Sequence, residues 1–355
     1  MHAYVLHGID DLRYEQADMP DLKPGWALIE VMAAGIGSSD VPRIFETGAY
    51  RYPIIPGHEI AGVVRNVGLS EDREWVDKRV GIFPLIPCRE CDHCRKERYE
   101  ICDSYDYLGT RRDGGFAEYV AVPIWNLIEL PDTVDFAEAA MLEPMAAALH
   151  AVRQLPLDQT QSLVIYGADP VGLLVCQWAR IYGVENIYIV TEIEGQAQLA
   201  HELGFQNVCN ESETNALEWL YSETNGKMAD AAIESTGKGE TLEQCLLSVI
   251  GQGTILTLAS PTEDYHLSRD IYWKIQRRQL HIVGTWNSRF STSEENDWQD
   301  VLEVLTEGRI DAISLVTHNY PFKELMDGLL VMRDKTEFYS KILISKSIKT
   351  RMGGM

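Results

Sequence analysis

The sequence predicts an α/β protein in which a β-rich domain precedes a doubly wound parallel sheet. Its 355 residues exceed the length that one hydrophobic core usually spans, so we expect two domains. Short strand-like runs separated by Gly and Pro fill the first part of the chain, which is typical of closely spaced β-strands. After about residue 155, strand-like and helix-like runs alternate, which predicts parallel βαβ units.

The individual elements follow from these patterns in chain order. Ala27–Ala33 alternates partly between apolar and polar residues and predicts a strand of the β-rich domain. Ser162–Tyr166 is a buried-strand candidate that ends at a glycine turn, and Val171–Tyr182 after it predicts a helix. The other predicted strands are Ile60–Arg65, Gly115–Val122, Ile187–Thr191, Ala229–Glu234, Gly253–Ala259 and Gln279–Gly284, and the other predicted helices are Gly195–Leu203 and Trp298–Glu307.

Charge and hydropathy argue against nucleic-acid binding and against a membrane-spanning segment. A net charge of -23, from 54 acidic and 31 basic residues, repels phosphate backbones and argues against nucleic acid. The most apolar stretch, 162–179, contains two glycines, an aspartate and a proline, so it does not predict a membrane span. The first ten residues show no signal-peptide pattern, and we expect a cytoplasmic protein.

Four of the seven cysteines form a C-x2-C-x2-C-x7-C cluster that could wrap one tetrahedral metal. A closed shell of four thiolates leaves no position for substrate, so this pattern predicts a structural zinc. The other three, Cys176, Cys209 and Cys245, lie alone in apolar surroundings and are expected to be small buried hydrophobes in a reduced protein. The clustered ligands are Cys88, Cys91, Cys94 and Cys102.

A glycine turn between a predicted strand and helix indicates a dinucleotide site. The turn is Gly167–Gly172, with Pro170 and Val171 inside it. Glu192 ends the next strand twenty residues after Gly172, where a carboxylate would accept from the ribose hydroxyls of NAD. No Arg or Lys follows Glu192 closely in sequence, so NAD is favoured over NADP.

Asp169 departs from this fingerprint, because it stands where the middle glycine lets backbone approach the pyrophosphate. A carboxylate adds bulk and negative charge beside a diphosphate. Either Asp169 points away from the cofactor, or it weakens cofactor affinity. A Rossmann-like domain whose turn is merely structural is the remaining alternative.

Five motifs in a fixed order carry a resemblance to a known family. They are Gly57–Glu59, the four-cysteine loop, Asp113–Tyr119, Glu143–Pro144 and the turn Gly167–Gly172. With them the chain resembles the zinc-containing medium-chain dehydrogenases of the sorbitol and threonine dehydrogenase branch, over essentially its whole length. Three segments, Ser39–Phe45, Tyr105–Asp113 and Gly284–Trp286, are similar to galactitol-1-phosphate dehydrogenases more specifically.

The resemblance implies a GroES-like catalytic domain that is split in sequence around a Rossmann coenzyme domain. The expected bounds are 1–153 for the catalytic domain, with a structural zinc lobe at about 85–112, then 154–290 for the coenzyme domain and 291–355 for the return. The family's catalytic-zinc ligand positions match His58, Glu59 and Glu143, but its ligand cysteine is Gly37 here. Without a thiolate, one imidazole and two carboxylates form a harder site, with water in the vacancy or no metal retained. Ser39 matches the hydroxyl that relays the substrate proton, so the implied catalytic set is Ser39, His58 and Glu59.

Substrate contacts are also implied by the resemblance. Arg43 lies in a segment near the substrate, where a guanidinium could hold a sugar phosphate, although a surface salt bridge is the alternative. The same alternative is stronger for Arg51, Arg111 and Arg112. Trp286 is either a wall beside the nicotinamide or a core tryptophan.

Three functions remain open from the sequence. The first is an NAD-dependent oxidoreductase for a polyol or polyol phosphate, with a structural zinc, a catalytic metal and a homo-oligomeric state. The second is a weakened or non-catalytic homologue that binds a sugar or nucleotide, because Gly37 and Asp169 fall at the two chemical centres. A reductase that uses a side-chain acid in place of the second metal is a third possibility.

Overall fold

The computed structural model describes residues 1–291 and 295–346. Within them the chain divides into two compact units. The first comprises the described residues of 1–143, 289–308 and 312–346, and the second comprises 144–288 and 309–311. The expected boundary after residue 153 falls at the end of helix Leu142–Val152, whereas the observed division falls near its beginning.

The first unit is built around a seven-stranded sheet. Strand β3, Trp26–Ile36, alternates between partly exposed and buried side chains, as expected for a strand with one face on a core. Its buried face joins residues such as Ile60 and Val64 of the next strand in a hydrophobic core. The elements in chain order are β1 (His2–Gly8), β2 (Asp11–Gln16), β3, α1 (Asp40–Pro42), β4 (Glu59–Val67), β5 (Arg79–Ile82), β6 (Leu85–Ile86), α2 (Asp92–Arg95), β7 (Asp106–Tyr107), β8 (Tyr119–Pro123), β9 (Leu127–Glu129) and α3 (Phe136–Ala139).

The second unit is a six-stranded, all-parallel sheet. Strands Ser162–Tyr166 and Asn186–Thr191 are apolar and almost wholly buried, because helices cover both faces of such a sheet. The elements in chain order are α4 (Leu142–Val152), β10 (Ser162–Tyr166), α5 (Pro170–Ile181), β11 (Asn186–Thr191), α6 (Glu194–Glu202), β12 (Asn207–Asn210), α7 (Ala216–Glu223), β13 (Ala229–Glu234), α8 (Gly239–Ser248), β14 (Val249–Thr257), α9 (Arg269–Arg278) and β15 (His281–Gly284).

After β15 the chain returns to the first unit and completes its sheet. Strand β17 (Lys341–Ser345) pairs antiparallel with β3, which pairs antiparallel with β4, so one end of the sheet brings Lys341, Ile36 and Glu59 close together. The strand order is β16 (Val316–Tyr320), β17, β3, β4, β5, β9, with β8 paired to β3. The returning elements are α10 (Asp297–Thr306), β16 (Val316–Tyr320), α11 (Leu325–Asp334) and β17.

The parallel sheet has the order β12-β11-β10-β13-β14-β15. The order reverses at β10, and ligands of doubly wound sheets bind at this point, beyond the carboxyl ends of the strands. The turn 167–172 follows β10, and Glu192 follows β11, so both lie at this edge. The predicted class, a β-rich domain plus a doubly wound parallel sheet, is confirmed.

Candidate functional site

The four clustered cysteines lie together in a lobe of the first unit. The lobe is closed by the antiparallel pair β6–β7, with Leu85 opposite Tyr107. One ligand atom from each of the four cysteines lies within 4.8 Å of the others, and the sulfurs of Cys88 and Cys94 are 3.9 Å apart. The three remaining cysteines are buried, so the structure places them where small hydrophobes belong.

Backbone amides point at two of these sulfurs. Cys88 N donates to Cys102 Sγ at 3.3 Å, and Cys94 N donates to Cys91 Sγ at 3.5 Å. Backbone hydrogen bonds from Glu90 and Cys91 lower the pKa of Cys88 to about 7, whereas burial raises the pKa of Cys102. A metal would hold all four as thiolates and displace their protons.

A second group of potential ligands lies elsewhere in the first unit. His58 precedes strand β4, Glu59 begins it, and Glu143 lies in the first turn of α4. Nitrogen and carboxylate oxygen atoms of these three side chains lie within 4.8 Å of one another. His58 and Glu59 are buried, at 8% and 3% exposed, and Glu143 is partly buried, so this group is not a surface cluster.

Gly37 lies directly against this group. A Cβ added at Gly37 would stand 2.7 Å from His58 Cε1 and 3.1 Å from His58 Nε2. A side chain at this position would therefore point at the imidazole, where a fourth ligand belongs. A cysteine at this position would therefore require the His58 ring to shift.

Two charged side chains that the sequence analysis did not single out hold the group in place. Asp40 is fully buried, accepts from Gly37 N at 2.9 Å, and has Oδ1 at 3.5 Å from His58 Nδ1. Lys341, 5% exposed, donates to Glu59 Oε1 in a buried ion pair. Asp40 lies next to Ser39 in the segment Ser39–Phe45, which carries part of the family resemblance. Lys341 is 282 residues from Glu59, and its only signal is a lysine heading the apolar run of β17.

These neighbours determine the protonation of the group. Burial disfavours an imidazolium at His58, but the charge and hydrogen bond of Asp40, with Glu143 and Glu59 adding, raise the pKa of His58 to about 9. Burial raises the pKa of Glu143, whose Oε1 accepts from the Tyr107 hydroxyl at 3.3 Å. Without a bound cation, the raised pKa values therefore favour the protonated forms of His58 and Glu143.

The remaining predicted residues of the first unit lie at its surface or near Asp40. Ser39 is exposed, and its side chain does not cap α1. Arg43 is partly buried, and within 1–291 and 295–346 its Nε has no hydrogen-bond partner, while its charge acts on Asp40. In contrast, Arg51 pairs with Asp113 at 3.0 Å. Two further arginines are also engaged: Arg112 with Asp106, and Arg111 against the rings of Tyr50 and Tyr105.

The second unit holds the predicted nucleotide turn. Gly167 has φ of +105°, which favours glycine, and a Cβ at Gly172 would stand 2.4 Å from Gly167 O. Pro170 begins α5, where its fixed φ suits a first helical residue. The Asp169 carboxylate caps this helix: Oδ1 accepts from Gly172 N at 2.8 Å and from Ser235 Oγ at 3.3 Å.

The second unit also positions Glu192 and Trp286. Glu192 follows β11 directly, and its Oε2 accepts from Lys238 Nζ at 3.0 Å. No sequence pattern near Glu192 indicates Lys238, because Lys238 is 46 residues away, in the loop after β13. Trp286 is 52% exposed, so it is not a core tryptophan.

Comparisons with known proteins match both units. A family model described as "Alcohol dehydrogenase GroES-like domain" matches residues 23–132, and one described as "Zinc-binding dehydrogenase" matches 170–307. Sorbitol dehydrogenase of Bacillus subtilis (strain 168) is 30% identical over 335 residues, which cover 93% of this chain and 92% of that protein. The chain belongs to the zinc-containing medium-chain dehydrogenases.

Further relatives of this dehydrogenase agree with that assignment. Galactitol 1-phosphate 5-dehydrogenase of Escherichia coli (strain K12) is 29% identical over 319 residues, 90% of this chain and 92% of that protein. The crystal structure of galactitol-1-phosphate dehydrogenase from Escherichia coli superposes with a TM-score of 0.88 at 27% identity, covering 97% of this chain and 100% of the other. The chain is thus an enzyme of the zinc-type dehydrogenase class with GroES-like and Rossmann folds. In its described part, no helix is long and apolar enough to cross a membrane.

Both ligand groups of this dehydrogenase fit a metal. The four-cysteine cluster offers the tetrahedral thiolate set that structural zinc prefers. In the second group, Glu59 Oε2 and His58 Nδ1 are buried without a hydrogen-bond partner among the described residues, although Asp40 lies close to Nδ1. A buried carboxylate oxygen without a donor is costly, and a cation satisfies it. The donors are one imidazole and two carboxylates, a harder set than the family's thiolate-containing one.

Proposed function

We propose that this dehydrogenase oxidises a polyol or polyol phosphate with NAD, or catalyses the reverse reduction. The substrate's secondary carbinol carbon would give a hydride to nicotinamide C4. The observation that carries the proposal is the convergence of His58, Glu59 and Glu143, whose ligand atoms lie within 4.8 Å in a chain of this family. A divalent ion held there would polarise the alcohol oxygen and lower its pKa.

The chain's own residues prepare this site. Asp40 Oδ1 lies 3.5 Å from His58 Nδ1 and would orient the ring so that Nε2 is the ligand atom. Lys341 balances the charge of Glu59 and fixes one of its oxygens. Ser39 lies one residue before Asp40 and is exposed to solvent, so its hydroxyl could carry the alcohol proton out.

The nucleotide would bind at the carboxyl edge of the parallel sheet. Gly167–Gly172 would face the pyrophosphate, with backbone of Pro170 and Val171 at the helix N-terminus. Glu192 would accept from the adenosine ribose, and exposed Trp286 would lie beside the nicotinamide. These roles are proposals for the second unit's residues.

The substrate class draws support from relatives and from Arg43. Two of the relatives are named as sorbitol and galactitol 1-phosphate dehydrogenases. Arg51 and Arg112 are paired with carboxylates, but Arg43 forms no ion pair in the described part of the chain, and its Nε is unsatisfied. Of these three arginines, Arg43 is therefore the one whose guanidinium is not already paired and could bind a substrate phosphate.

A paired substrate panel tests this proposal. Polyols and their monophosphates should be oxidised with NAD, and Arg43→Ala should raise KM for the phosphates at least tenfold more than for the free polyols. Arg51→Ala serves as the matched control, because Arg51 already pairs with Asp113. Equal losses for both substrate classes would remove the phosphate role, and no NAD-linked activity with any polyol would overturn the proposed function.

A second candidate function rests on one observation, the capping of α5 by Asp169. The carboxylate takes the Gly172 amide that a pyrophosphate could use, which favours a homologue with weakened catalysis that binds sugar or nucleotide. Steady-state assays with saturating polyol and millimolar NAD separate the two, since weakened cofactor binding raises KM for NAD.

We also propose that the enzyme forms a homo-oligomer through the edge of the parallel sheet. Strand β15 pairs only with β14 in the described part of the chain, and its Ile282 is 48% exposed. Helix α9 adds Tyr272 and Trp273, 55% and 54% exposed. An open strand with exposed apolar side chains is normally covered by a partner. Light scattering should show a mass above that of the 40.1 kDa monomer. Ile282→Lys should reduce the measured mass.

A further inference from the structure

Glu192 and Lys238 form a pair at the edge where the adenosine half of a dinucleotide is proposed to bind. Lys238 Nζ donates to Glu192 Oε2 at 3.0 Å, and both side chains are about half exposed, at 50% and 58%. Glu192 follows β11 and Lys238 follows β13, the two neighbours of β10. Both side chains line a cavity of about 480 Å³.

The cavity is acidic apart from Lys238. Its lining includes the carboxylates of Glu192, Glu211 and Glu240, and Lys238 is the single basic residue among the described residues that line it. These groups act on one another. Burial raises the pKa of Glu211. The charges of Glu192 and Glu240 raise that pKa further, and the charge of Lys238 lowers it. A ligand in this cavity therefore meets three negative charges and one positive charge that is already paired.

We propose that Glu192 sets the cofactor preference by holding Lys238, so that the cation which a 2′-phosphate requires is present but engaged. This inference rests on the proposed dinucleotide function. With Glu192 in place, a 2′-phosphate meets a carboxylate and an ammonium that is already paired with it. Without Glu192, the same ammonium is released toward the ligand, and one negative charge leaves the cavity. Lys238 is thus a latent determinant of specificity for phosphorylated ribose.

The backbone at Lys238 is held independently of Glu192. The loop from Glu234 to Lys238 is fixed by the buried Glu234 carboxylate, whose Oε1 accepts from Thr236 N at 2.7 Å and from Gly237 N at 2.9 Å. Lys238 N in turn donates to Thr236 Oγ1 at 3.2 Å. Removal of an exposed carboxylate at Glu192 should leave this loop and the fold intact.

The test compares NADH and NADPH binding, followed by nicotinamide fluorescence, in four proteins. The wild type should prefer NADH. Glu192→Ser should shift the ratio of the two dissociation constants at least tenfold toward NADPH, and Glu192→Ser/Lys238→Ala should lose that shift. Glu240→Ser is the matched control, because it removes a carboxylate from the same cavity without releasing Lys238, and it should shift the ratio much less.

The outcomes separate this inference from the proposed function. A shift that survives in the double variant, or an equal shift in Glu240→Ser, would overturn the role of Lys238 while the dinucleotide function stands. Absence of NADH and NADPH binding in every protein would overturn the dinucleotide function. In that case adenosine 2′,5′-bisphosphate still tests the pair: it should bind Glu192→Ser at least tenfold more tightly than the double variant, and equal binding would contradict the inference.

Discussion

The replacement Asp169→Gly should tighten the binding of NADH to this enzyme. The Asp169 carboxylate caps helix α5, with Oδ1 2.8 Å from Gly172 N, at the turn where the pyrophosphate is proposed to bind. A dinucleotide that uses the same amide must displace the carboxylate or approach it closely. Glycine removes the charge and restores the backbone approach that the fingerprint provides.

The magnitude follows from the geometry. A phosphate oxygen that competes for the Gly172 amide brings a second negative charge to within about 4 Å, which costs about 1 kcal/mol at the dielectric of water and about 4 kcal/mol at an effective dielectric of about 20. Since about 1.4 kcal/mol is a factor of ten in affinity, these costs correspond to a gain of about one to three orders of magnitude. Loss of the cap costs only a few tenths of a kcal/mol when glycine replaces aspartate.

Calorimetric titration of NADH into wild type and Asp169→Gly measures this gain directly. Asp169→Asn is the matched control, because it keeps a capping oxygen without the charge, and its affinity should fall between the other two. Thermal unfolding of the free proteins should differ by no more than a few degrees. Equal or weaker NADH binding by Asp169→Gly, in a protein that unfolds normally, would refute the reasoning.

Three further predictions concern the metal group. Gly37→Cys should tighten zinc binding at least tenfold, because a thiolate closes the shell. It should also lower the melting temperature of the metal-free protein, because the new Cβ would stand 2.7 Å from His58 Cε1. An unchanged zinc affinity in a folded variant would contradict the prediction of tighter zinc binding. Lys341→Met should cost the metal-free protein about 3–5 kcal/mol in urea unfolding by breaking a buried pair, and zinc should restore stability more than in the wild type. The pKa of His58, about 9 in the absence of metal, means that zinc must displace a proton, so its affinity for this site should rise up to about pH 9, and calorimetry in two buffers should detect the released proton.

The fold could be predicted from the sequence because its signals are local. Apolar runs of strand length, a glycine turn and a carboxylate at the end of the next strand define the parallel sheet within a short stretch, and Ser162–Tyr166, Ala229–Glu234 and helix Trp298–Glu307 agree with the observed elements to within about a residue or two. The proximity of His58, Glu59 and Glu143 was expected only from family resemblance, since nothing local joins residues 59 and 143.

The residues that were missed are joined to the site by the fold alone. Lys341 reaches Glu59 because β17 and β4 flank β3, a pairing that no pattern around either residue reveals. Lys238 reaches Glu192 because β11 and β13 flank β10. The sequence does not determine which way the Asp169 carboxylate points. In the structure, a hydrogen bond from Gly172 N to this carboxylate sets its direction.

The metal content of the purified enzyme tests the central claim most directly, namely that His58, Glu59 and Glu143 hold a metal although position 37 lacks a thiol. After dialysis against buffer with trace zinc, elemental analysis should give two metals per chain for the wild type and one for Glu143→Gln, with the zinc of the four-cysteine lobe retained. One metal per chain in the wild type, unchanged in Glu143→Gln, would contradict the account.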